Sequence, residues 1–288
     1  MKVRTLFIVA ASLLGVAITQ YERFGGEARA GASQAGAPSQ TAEPPANFKV
    51  RNVAIFIHEG VELLDFAGPG EVFAAARTPQ GGHAFKVYTV ADSPEPILSQ
   101  GFVSIRPQYT FDDAPRPDIV VLPGGNTSIP LGNQKVIEWV KRSAQDAELM
   151  MSVCTGASLL GRAGLLDGLQ VTTHWSAIER LRQNYPKATV HENRRFVDNG
   201  KVLTTAGVSA GIDGALHVVE RLLGRAAAAR TARYMEYKWT PEAAAAPDGK
   251  VHKLYGGNKW KPDEVLEEMK AIGRGRRGHP AARSDVAL

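Results

Sequence analysis

The chemistry encoded in this sequence centres on Cys154, the only cysteine among 288 residues. A strand-like apolar run over residues 149–153 ends directly at this cysteine, and an amphipathic helical pattern begins at Thr155. A side chain at such a strand-to-helix turn stands out of the sheet, in the arrangement known as a nucleophile elbow. We expect the free N–H groups and the positive end of the following helix to favour thiolate over thiol. The alternative is a buried cysteine that only packs.

A carboxylate suited to work with that sulfur follows the first predicted strand. Asp65, between Leu64 and Phe66, is either a helix N-cap or a functional acid at the edge of the sheet. Glu71 is a rival, but it falls within a helical pattern and farther from that edge. Partial burial raises the pKa of a carboxyl group, so Asp65 can carry a proton, hydrogen-bond to sulfur and transfer the proton to a substrate.

Five further residues are candidates for substrate contacts. The backbone N–H groups of Gly124 and Gly125 can approach a substrate closely and stabilise negative charge, unless this is an ordinary turn at the end of a strand. Thr155 offers a hydroxyl group or caps the helix after it. His58 ends the first strand and can line the mouth of a site, whereas His174 also suits a core or edge histidine. The sequence has no metal-ligand spacing, phosphate loop or dinucleotide fingerprint, so we expect no metal and no cofactor.

Short apolar runs alternate with helical patterns along the body of the chain. The predicted strands are residues 49–57, 85–90, 117–122, 149–153 and 171–173, and the predicted helices are residues 69–76, 136–147, 155–166, 176–184 and 210–223. An Asn-Gly pair predicts a hairpin over residues 197–202. This order predicts an α/β fold with a doubly wound, mainly parallel sheet and helices on both faces. Ligands bind beyond the carboxyl ends of such strands, which brings His58, the 124–125 turn and Cys154 to one edge.

The two ends of the chain differ from this body. Residues 1–30 combine Lys2 and Arg4 with a short apolar run and a small-x-small site, which is typical of a secretory signal peptide or, if uncleaved, an N-terminal anchor. Residues 31–47 have the composition of a disordered linker. We expect one domain over residues 48–238 and a C-terminal extension, residues 239–288, with one short helix and a basic tail. We therefore expect the protein to be exported and to be either periplasmic or anchored to the membrane only by its N-terminal segment.

The net charge of +5 lies mainly in the extension, where residues 249–288 hold nine Lys or Arg and five Asp or Glu. The body is therefore close to neutral and has no broad basic face, which argues against a nucleic-acid partner. A single cysteine forms no internal disulfide, so packing must stabilise the domain.

Six motifs occur in a fixed order along the body. They are LDFAGP (64–69), LPGG (122–125), SVCTG (152–156), AGLL (163–166), TTHW (172–175) and AGVSAGID (206–213). Together they resemble the ThiJ/PfpI superfamily of class I glutamine amidotransferase-like folds, in the branch that holds isonitrile hydratase and the sensor domains of AraC-type regulators. The resemblance covers roughly residues 50–234 and implies a flavodoxin-like fold, usually in a homodimer.

The resemblance to isonitrile hydratase also implies roles for three residues. Cys154 would be the nucleophile, Asp65 the acid/base and Thr155 the hydroxyl that orients the substrate, so that a small isonitrile is hydrated to an N-substituted formamide. Thr155 stands where the intracellular proteases of the superfamily have histidine, which argues against a peptidase. Two alternatives stay open: a ligand-sensing module without chemistry, and removal of carbonyl adducts or methylglyoxal by the same cysteine.

Overall fold

A seven-stranded sheet forms the centre of the protein in the computed structural model, which describes residues 49–240. The strands are β1 (Arg51–Phe56), β2 (Phe85–Ala91), β3 (Ile97–Ser99), β4 (Val103–Ile105), β5 (Tyr109–Thr110), β6 (Ile119–Leu122), β7 (Leu149–Val153), β8 (Gln170–Val171), β9 (Thr189–Val190), β10 (Phe196–Asp198) and β11 (Val202–Thr205). Their order in the sheet is β10-β11-β7-β6-β1-β2-β5, and all neighbours are parallel except the β10–β11 hairpin. Strands β3–β4 and β8–β9 form two separate ribbons.

Helices cover both faces of this sheet. They are α1 (Leu63–Ala75), α2 (Ser128–Gly132), α3 (Gln134–Asp146), α4 (Ala157–Arg162), α5 (Ile178–Asn184), α6 (Ala210–Leu223) and α7 (Arg225–Tyr234), with 3₁₀ turns at Cys154–Gly156 and Trp175–Ala177. Side chains of β1 alternate between two cores: Val53 and Ile55 pack with α1, α6 and α7, whereas Ala54 and Phe56 pack with α3, α4 and α5. The expected doubly wound, mainly parallel sheet is confirmed.

Packing is sufficient to hold this domain without a disulfide. Both cores contain large side chains that are fully buried, among them Phe73 on one face and Leu160 on the other. Burying a side chain of this size contributes about 1.5–3 kcal/mol relative to leaving it in water. The sum over two cores offsets the conformational entropy that the chain loses on folding.

The first helix differs most from its prediction. It begins at Leu63, six residues before the predicted start at Pro69, so the proline lies inside the helix and not in its first turn. Asp65 therefore belongs to the first turn of α1, and the N-cap position is Glu62. The interpretation of Asp65 as an N-cap is wrong. The pattern misled because a proline inside a helix costs stability, and here the packing of α1 against the sheet outweighs that cost.

The other predicted elements are present, and most of them differ only at their ends. Helix α6 has the predicted bounds, and the predicted hairpin is β10–β11, with Gly200 at φ +83° in its turn. Helix α4 stops at Arg162, four residues early, and Gly164 follows it at φ +78°. Helix α7 was not predicted because it is short of large apolar residues. Helix α2, the β3–β4 ribbon and strands β5 and β9 were not predicted because each helix or strand has five residues or fewer.

The predictions for residues 1–30 and 31–47, and for the extension beyond residue 240, lie outside the described residues. At the predicted domain boundary, Tyr237 and Trp239 still pack against the core beside α6. Within residues 49–240, no helix has both the length and the apolar character needed to cross a membrane.

Candidate active site

Cys154 occupies the strand-to-helix turn that the sequence predicts. It follows β7 directly, begins a single 3₁₀ turn and adopts φ +58°, a left-handed conformation that is uncommon outside glycine. Its N–H donates to the Ala206 carbonyl (3.1 Å), and its carbonyl accepts from Thr173 Oγ1 (2.8 Å). These two hydrogen bonds hold the strained backbone in place, as is common at functional sites.

Asp65 lies beside this cysteine and is completely shielded from solvent (0 % exposed). Its Oδ2 accepts the N–H of Gly124 (2.9 Å), and its Oδ1 accepts the N–H of Val208 (3.1 Å). The carboxyl group also lies close enough to the thiol of Cys154 for each group to shift the pKa of the other. The rival Glu71 is exposed on α1. Four separate segments of the chain thus meet at one carboxylate.

Burial dominates the ionisation of this carboxyl group. Burial, together with the nearby charge of Glu62, raises the pKa of Asp65 from 3.8 to about 7, while the N–H groups of Gly124 and Val208 and the Cys154 thiol oppose the increase. No cation is among the groups that act on Asp65 in the described part of the chain. Such a carboxyl group exchanges its proton near neutral pH, as a general acid/base requires.

The thiol behaves differently from its prediction. Burial, followed by the negative charge of Asp65, raises the pKa of Cys154 to about 12, and the N–H of Thr155 opposes this only in part. The expectation that the helix terminus favours thiolate is therefore wrong for the resting protein. Helix α4 has only six residues, so its dipole is weak, and the side chain is 7 % exposed. In the resting protein the thiol therefore holds its proton more tightly than the Asp65 carboxyl group does.

The Gly124-Gly125 turn contacts both Asp65 and Thr155. A Cβ on Gly124 would lie 2.5 Å from Thr155 Oγ1 and 2.9 Å from Asp65 Oδ2, so only glycine fits. The N–H of Gly124 donates to Asp65, and the N–H of Gly125 donates to Thr155 Oγ1 (3.2 Å). Because both N–H groups already have acceptors, their expected role in stabilising substrate charge does not match this arrangement. They position Asp65 and Thr155 instead.

Thr155 is held by the same turn. Its Oγ1 accepts from the N–H of Gly125 and donates to the Gly125 carbonyl at 3.3 Å. Its backbone N–H points at the sulfur of Cys154. Thr155 therefore links the turn to the elbow, and its side chain makes no capping bond to α4.

The two candidate histidines have different surroundings. His58 is 5 % exposed, and its Nδ1 lies 3.0 Å from the Glu59 carbonyl. Its Nε2 faces the carbonyls of Pro123 and Gly124, although it forms no well-oriented hydrogen bond among the described residues. Burial lowers the pKa of His58, which keeps the ring neutral. His58 thus lies behind the glycine turn, and its predicted place at an open mouth is wrong.

His174 stands at the rim. Its Nδ1 contacts Ser176 Oγ (2.8 Å), and its ring packs on Gly207 so closely that a larger residue there would collide with it. Burial lowers the pKa of His174, and the charge of Glu62 opposes that shift. The alternative of an edge histidine with its own hydrogen-bond partner describes this residue best. Within residues 49–240, no three His, Cys, Asp or Glu side chains are grouped so as to hold a metal ion.

Two contributors to the site were missed in the sequence. Glu62 occupies the N-cap of α1, and its charge acts on Asp65 and Cys154. Its spacing of three residues from Asp65, about one helical turn, was the available signal. Val208 contributes only its N–H, and it does so at φ +53°, a conformation that a β-branched residue rarely adopts. No side-chain pattern reports such a backbone contribution.

The fold and the site define a class: a flavodoxin-like α/β protein with a cysteine on the elbow after a central strand and a buried carboxyl partner. A model of the DJ-1/PfpI family matches residues 51–221. The chain belongs to the DJ-1/PfpI family, and the resemblance seen in its six motifs is confirmed.

Two of the named relatives are proteins of different kinds. The isonitrile hydratase of Pseudomonas putida is 31% identical over 190 residues, which cover 66% of this chain and 79% of the hydratase. The HTH-type transcriptional regulator GbdR of Pseudomonas aeruginosa is 23% identical over 228 residues, which cover 79% of this chain. The chain spans only 62% of that regulator. The family therefore includes both a named enzyme and named regulators.

Solved structures support the same fold. A ThiJ/PfpI family protein from Pseudomonas syringae superposes with a TM-score of 0.64 at 25% identity, over 82% of this chain and 94% of that protein. DJ-1beta of Drosophila melanogaster superposes with a TM-score of 0.57 at 18% identity, over 66% of this chain and all of that protein (100%). At that identity the second similarity shows the fold alone.

Proposed function

We propose that this protein is a cysteine-dependent hydratase that acts on a small isonitrile without a cofactor. The observation that carries the proposal is the buried pair of Asp65 and Cys154, in which the pKa of the carboxyl group is raised to about 7 beside the thiol. The 31% identity to an isonitrile hydratase supports the choice of substrate class.

In the proposed reaction, the thiol proton moves to the substrate carbon, and water later supplies the proton that restores the thiol. The Asp65 carboxylate removes the thiol proton as sulfur attacks the terminal carbon of the isonitrile, and a C–S bond forms. Protonated Asp65 then gives this proton to the same carbon, which yields a thioimidate. Addition of water to the thioimidate carbon and cleavage of the C–S bond release the N-substituted formamide and restore the thiol. The sum is one isonitrile and one water giving one formamide.

The raised pKa values fit these two roles of Asp65. A carboxyl group with a pKa of about 7 is basic enough to accept a thiol proton and acidic enough to return it. The thiolate is formed only as substrate binds, because the resting thiol has a pKa of about 12. The attack is therefore assisted by a general base and does not depend on a standing thiolate.

The decisive experiment measures formamide production from a simple alkyl isonitrile between pH 5 and 9. We expect turnover by the wild type and none by Cys154→Ala, with the circular dichroism spectrum unchanged. Ser152→Ala is the matched control, since Ser152 is buried two residues earlier on β7 and lies outside the pair. If the wild type hydrates no isonitrile at any pH, the substrate assignment is wrong. Turnover by Cys154→Ala would contradict the mechanism.

A second candidate is a ligand-sensing module without turnover. It is favoured by the low exposure of Cys154 and its raised thiol pKa, and by the similarity to GbdR over 79% of this chain. Tight binding of a small molecule, with slow thiol alkylation at every pH and no product, would support this candidate. A methylglyoxal assay tests the third possibility, removal of carbonyl compounds by the same cysteine.

Export to the periplasm, or anchoring there, and assembly as a homodimer also remain proposals. Fractionation of cells that express the full chain, and sedimentation of the purified protein, test them. A cytoplasmic protein would contradict the first proposal, and a monomer at micromolar concentration would contradict the second.

A further inference from the structure

The loop between β11 and α6, residues 206–209, touches both members of the catalytic pair. The Ala206 carbonyl accepts the backbone N–H of Cys154 at 3.1 Å, and the N–H of Val208 donates to Asp65 Oδ1 at 3.1 Å. Val208 reaches Asp65 only by adopting φ +53°. A β-branched residue at that φ is strained, so the loop needs other contacts to hold it.

Arg195, just before β10, holds this loop at both ends. Its carbonyl accepts the N–H of Ala206 at 2.8 Å. Its side chain forms an ion pair with Asp213 in the first turn of α6 and contacts Ser209 Oγ at 3.3 Å. The side chains of Arg195 and Asp213 are only 18% and 10% exposed, so water screens this ion pair little.

Tyr237, which follows α7, also contacts this ion pair. Its hydroxyl donates to Asp213 Oδ1 at 3.0 Å. Burial, followed by the charge of Asp213, raises the pKa of Tyr237 to about 12, so the hydroxyl stays a donor at neutral pH. We call Arg195, Ser209, Asp213 and Tyr237 the Arg195 clamp.

We propose that the Arg195 clamp positions the strained N–H of Val208 against Asp65 and thereby favours the ionised form of Asp65 in the Asp65–Cys154 pair. Arg195 is a positioning residue in this proposal, since it acts on Asp65 through the 206–209 loop, which its carbonyl and its side chain both contact. The proposal rests on the pair described under the proposed function, but it does not depend on which substrate the pair attacks.

The groups around Asp65 allow this effect to be isolated. Its charged or titratable neighbours are Glu62 at the start of α1 and Cys154 after β7. The 123–125 turn and the 206–209 loop contribute one backbone N–H each. Because the N–H of Val208 stabilises the ionised carboxylate, its loss raises the pKa of Asp65 by about one unit. The clamp thus acts through geometry and adds no titratable group of its own at Asp65.

The test is alkylation of Cys154 by iodoacetamide as a function of pH in the full-length protein. Sulfur forms a bond to the methylene carbon, iodide leaves, and the thiol proton passes to Asp65 and then to water. Ionised Asp65 assists this reaction, so the rate rises with a midpoint near pH 7. In Arg195→Met we expect the midpoint to move about one pH unit higher. An unchanged midpoint in a folded variant would overturn the proposal.

Arg221→Met is the matched control. Arg221 belongs to the last turn of α6 and also forms a partly buried ion pair, with Asp198, but this pair lies at the other end of the helix from the 206–209 loop. Its loss costs stability in the same way without touching the 206–209 loop. We expect the wild-type midpoint in this variant. A shift equal to that of Arg195→Met would show a general loss of stability and would overturn the proposal.

A rescue variant separates positioning from mere structural support. Glycine adopts positive φ without the cost that valine incurs, so Arg195→Met with Val208→Gly should return the midpoint toward the wild-type value. No return would contradict the proposed path through Val208. If Arg195→Met does not fold, Asp213→Asn provides the same test, because it removes the charge that holds Arg195 and keeps the side-chain shape. It should shift the midpoint in the same direction.

Discussion

Asp65 and Asp198 lie at opposite ends of the sheet, and their different surroundings suit one to proton transfer and the other to holding the fold together. Asp65, at the carboxyl ends of the parallel strands, has backbone N–H groups and a thiol as partners. Asp198, at the other end of the sheet, binds Arg221 through both carboxylate oxygens (2.9 Å each) and His217 Nε2 at 2.8 Å. We call Asp198, His217 and Arg221 the Asp198 cluster.

The pKa values of the two carboxyl groups are shifted in opposite directions. Burial raises the pKa of Asp65 to about 7. Burial also acts on Asp198, but the hydrogen bonds from His217 and Arg221 outweigh it and lower the pKa of Asp198 to about 2. The half-buried carboxylate of Asp198, paired with a cation, is a fixed charge that ties the β10–β11 hairpin to α6. A buried carboxyl group without a cation is free to exchange a proton at the pH of its reaction.

The largest effect is expected from replacing Asp65 itself. Asp65→Asn removes the proton carrier, and we expect kcat/KM for an isonitrile to fall about 10²–10⁴-fold. The amide also turns an NH₂ group toward one of the two backbone donors, which leaves that N–H without an acceptor. Steady-state kinetics near pH 7 measure the loss.

Asp198→Asn is the matched control for that measurement. It deletes a carboxylate charge of the same type without touching the pair, so kcat/KM should stay within about threefold. An equal loss in both variants would abolish the distinction between a chemical and a structural aspartate.

A smaller effect follows from the glycines that support each aspartate. Gly124→Ala forces its Cβ to within 2.7 Å of the Thr155 backbone nitrogen, and we expect the free energy of unfolding to fall by about 2–3 kcal/mol together with activity. Gly200→Ala, beside Asp198, meets no atom within 4 Å but must hold φ +83°, which costs about 1 kcal/mol. Urea denaturation and kinetics measure both.

Gly132→Ala completes this test. Gly132 has open space around the position of its Cβ and lacks a positive φ, so stability and activity should both be unchanged. Loss of activity in Gly200→Ala with stability intact would contradict the assignment of that end of the sheet to structure.

The two aspartates should also differ in how their contributions to the free energy of unfolding change with pH. Asp198 has a folded pKa of about 2 against a usual 3.8, so its ion pairs stabilise the fold above pH 4 and that contribution is lost as the pH falls toward 2. The contribution is about 2 kcal/mol at 1.36 kcal/mol per unit. Asp65 acts with the opposite sign, because its raised pKa weakens the fold as the pH rises from 4 through 7.

Unfolding by urea at a series of pH values measures these contributions. Asp198→Asn should flatten the profile between pH 4 and 2, and Asp65→Asn should flatten it between pH 4 and 7. If Asp198→Asn instead changes the profile only near neutral pH, the fixed charge has been assigned to the wrong residue.

The architecture was predictable because its signals are local and repeated. The apolar runs that became β1, β6 and β7 are buried on both faces, and continuous hydrophobic strands identify a parallel sheet. The start of α1 was missed because Leu63–Gly68 lacks a helical contrast between apolar and polar faces, and its position depends on tertiary packing.

The site was predictable only in part, for a related reason. Cys154 and Asp65 carry their chemistry in their side chains, so their types and positions identified them. The N–H of Val208 and the raised thiol pKa depend on contacts between residues far apart in the chain, and no local pattern encodes them. The contacts that tune the protonation of Asp65 and Cys154 are thus the ones that the sequence does not reveal.

The smallest expected effect concerns the Thr155 hydroxyl. Its two hydrogen bonds to Gly125 are long, 3.2 and 3.3 Å, so it contributes little to the resting fold. Thr155→Val keeps the shape, and we expect the free energy of unfolding to fall by about 1 kcal/mol or less. If the hydroxyl also orients the substrate, KM rises about threefold to tenfold while kcat stays near its wild-type value. A fall in kcat with KM unchanged would instead place the hydroxyl in the proton path, and the pair of Asp65 and Cys154 would no longer act alone.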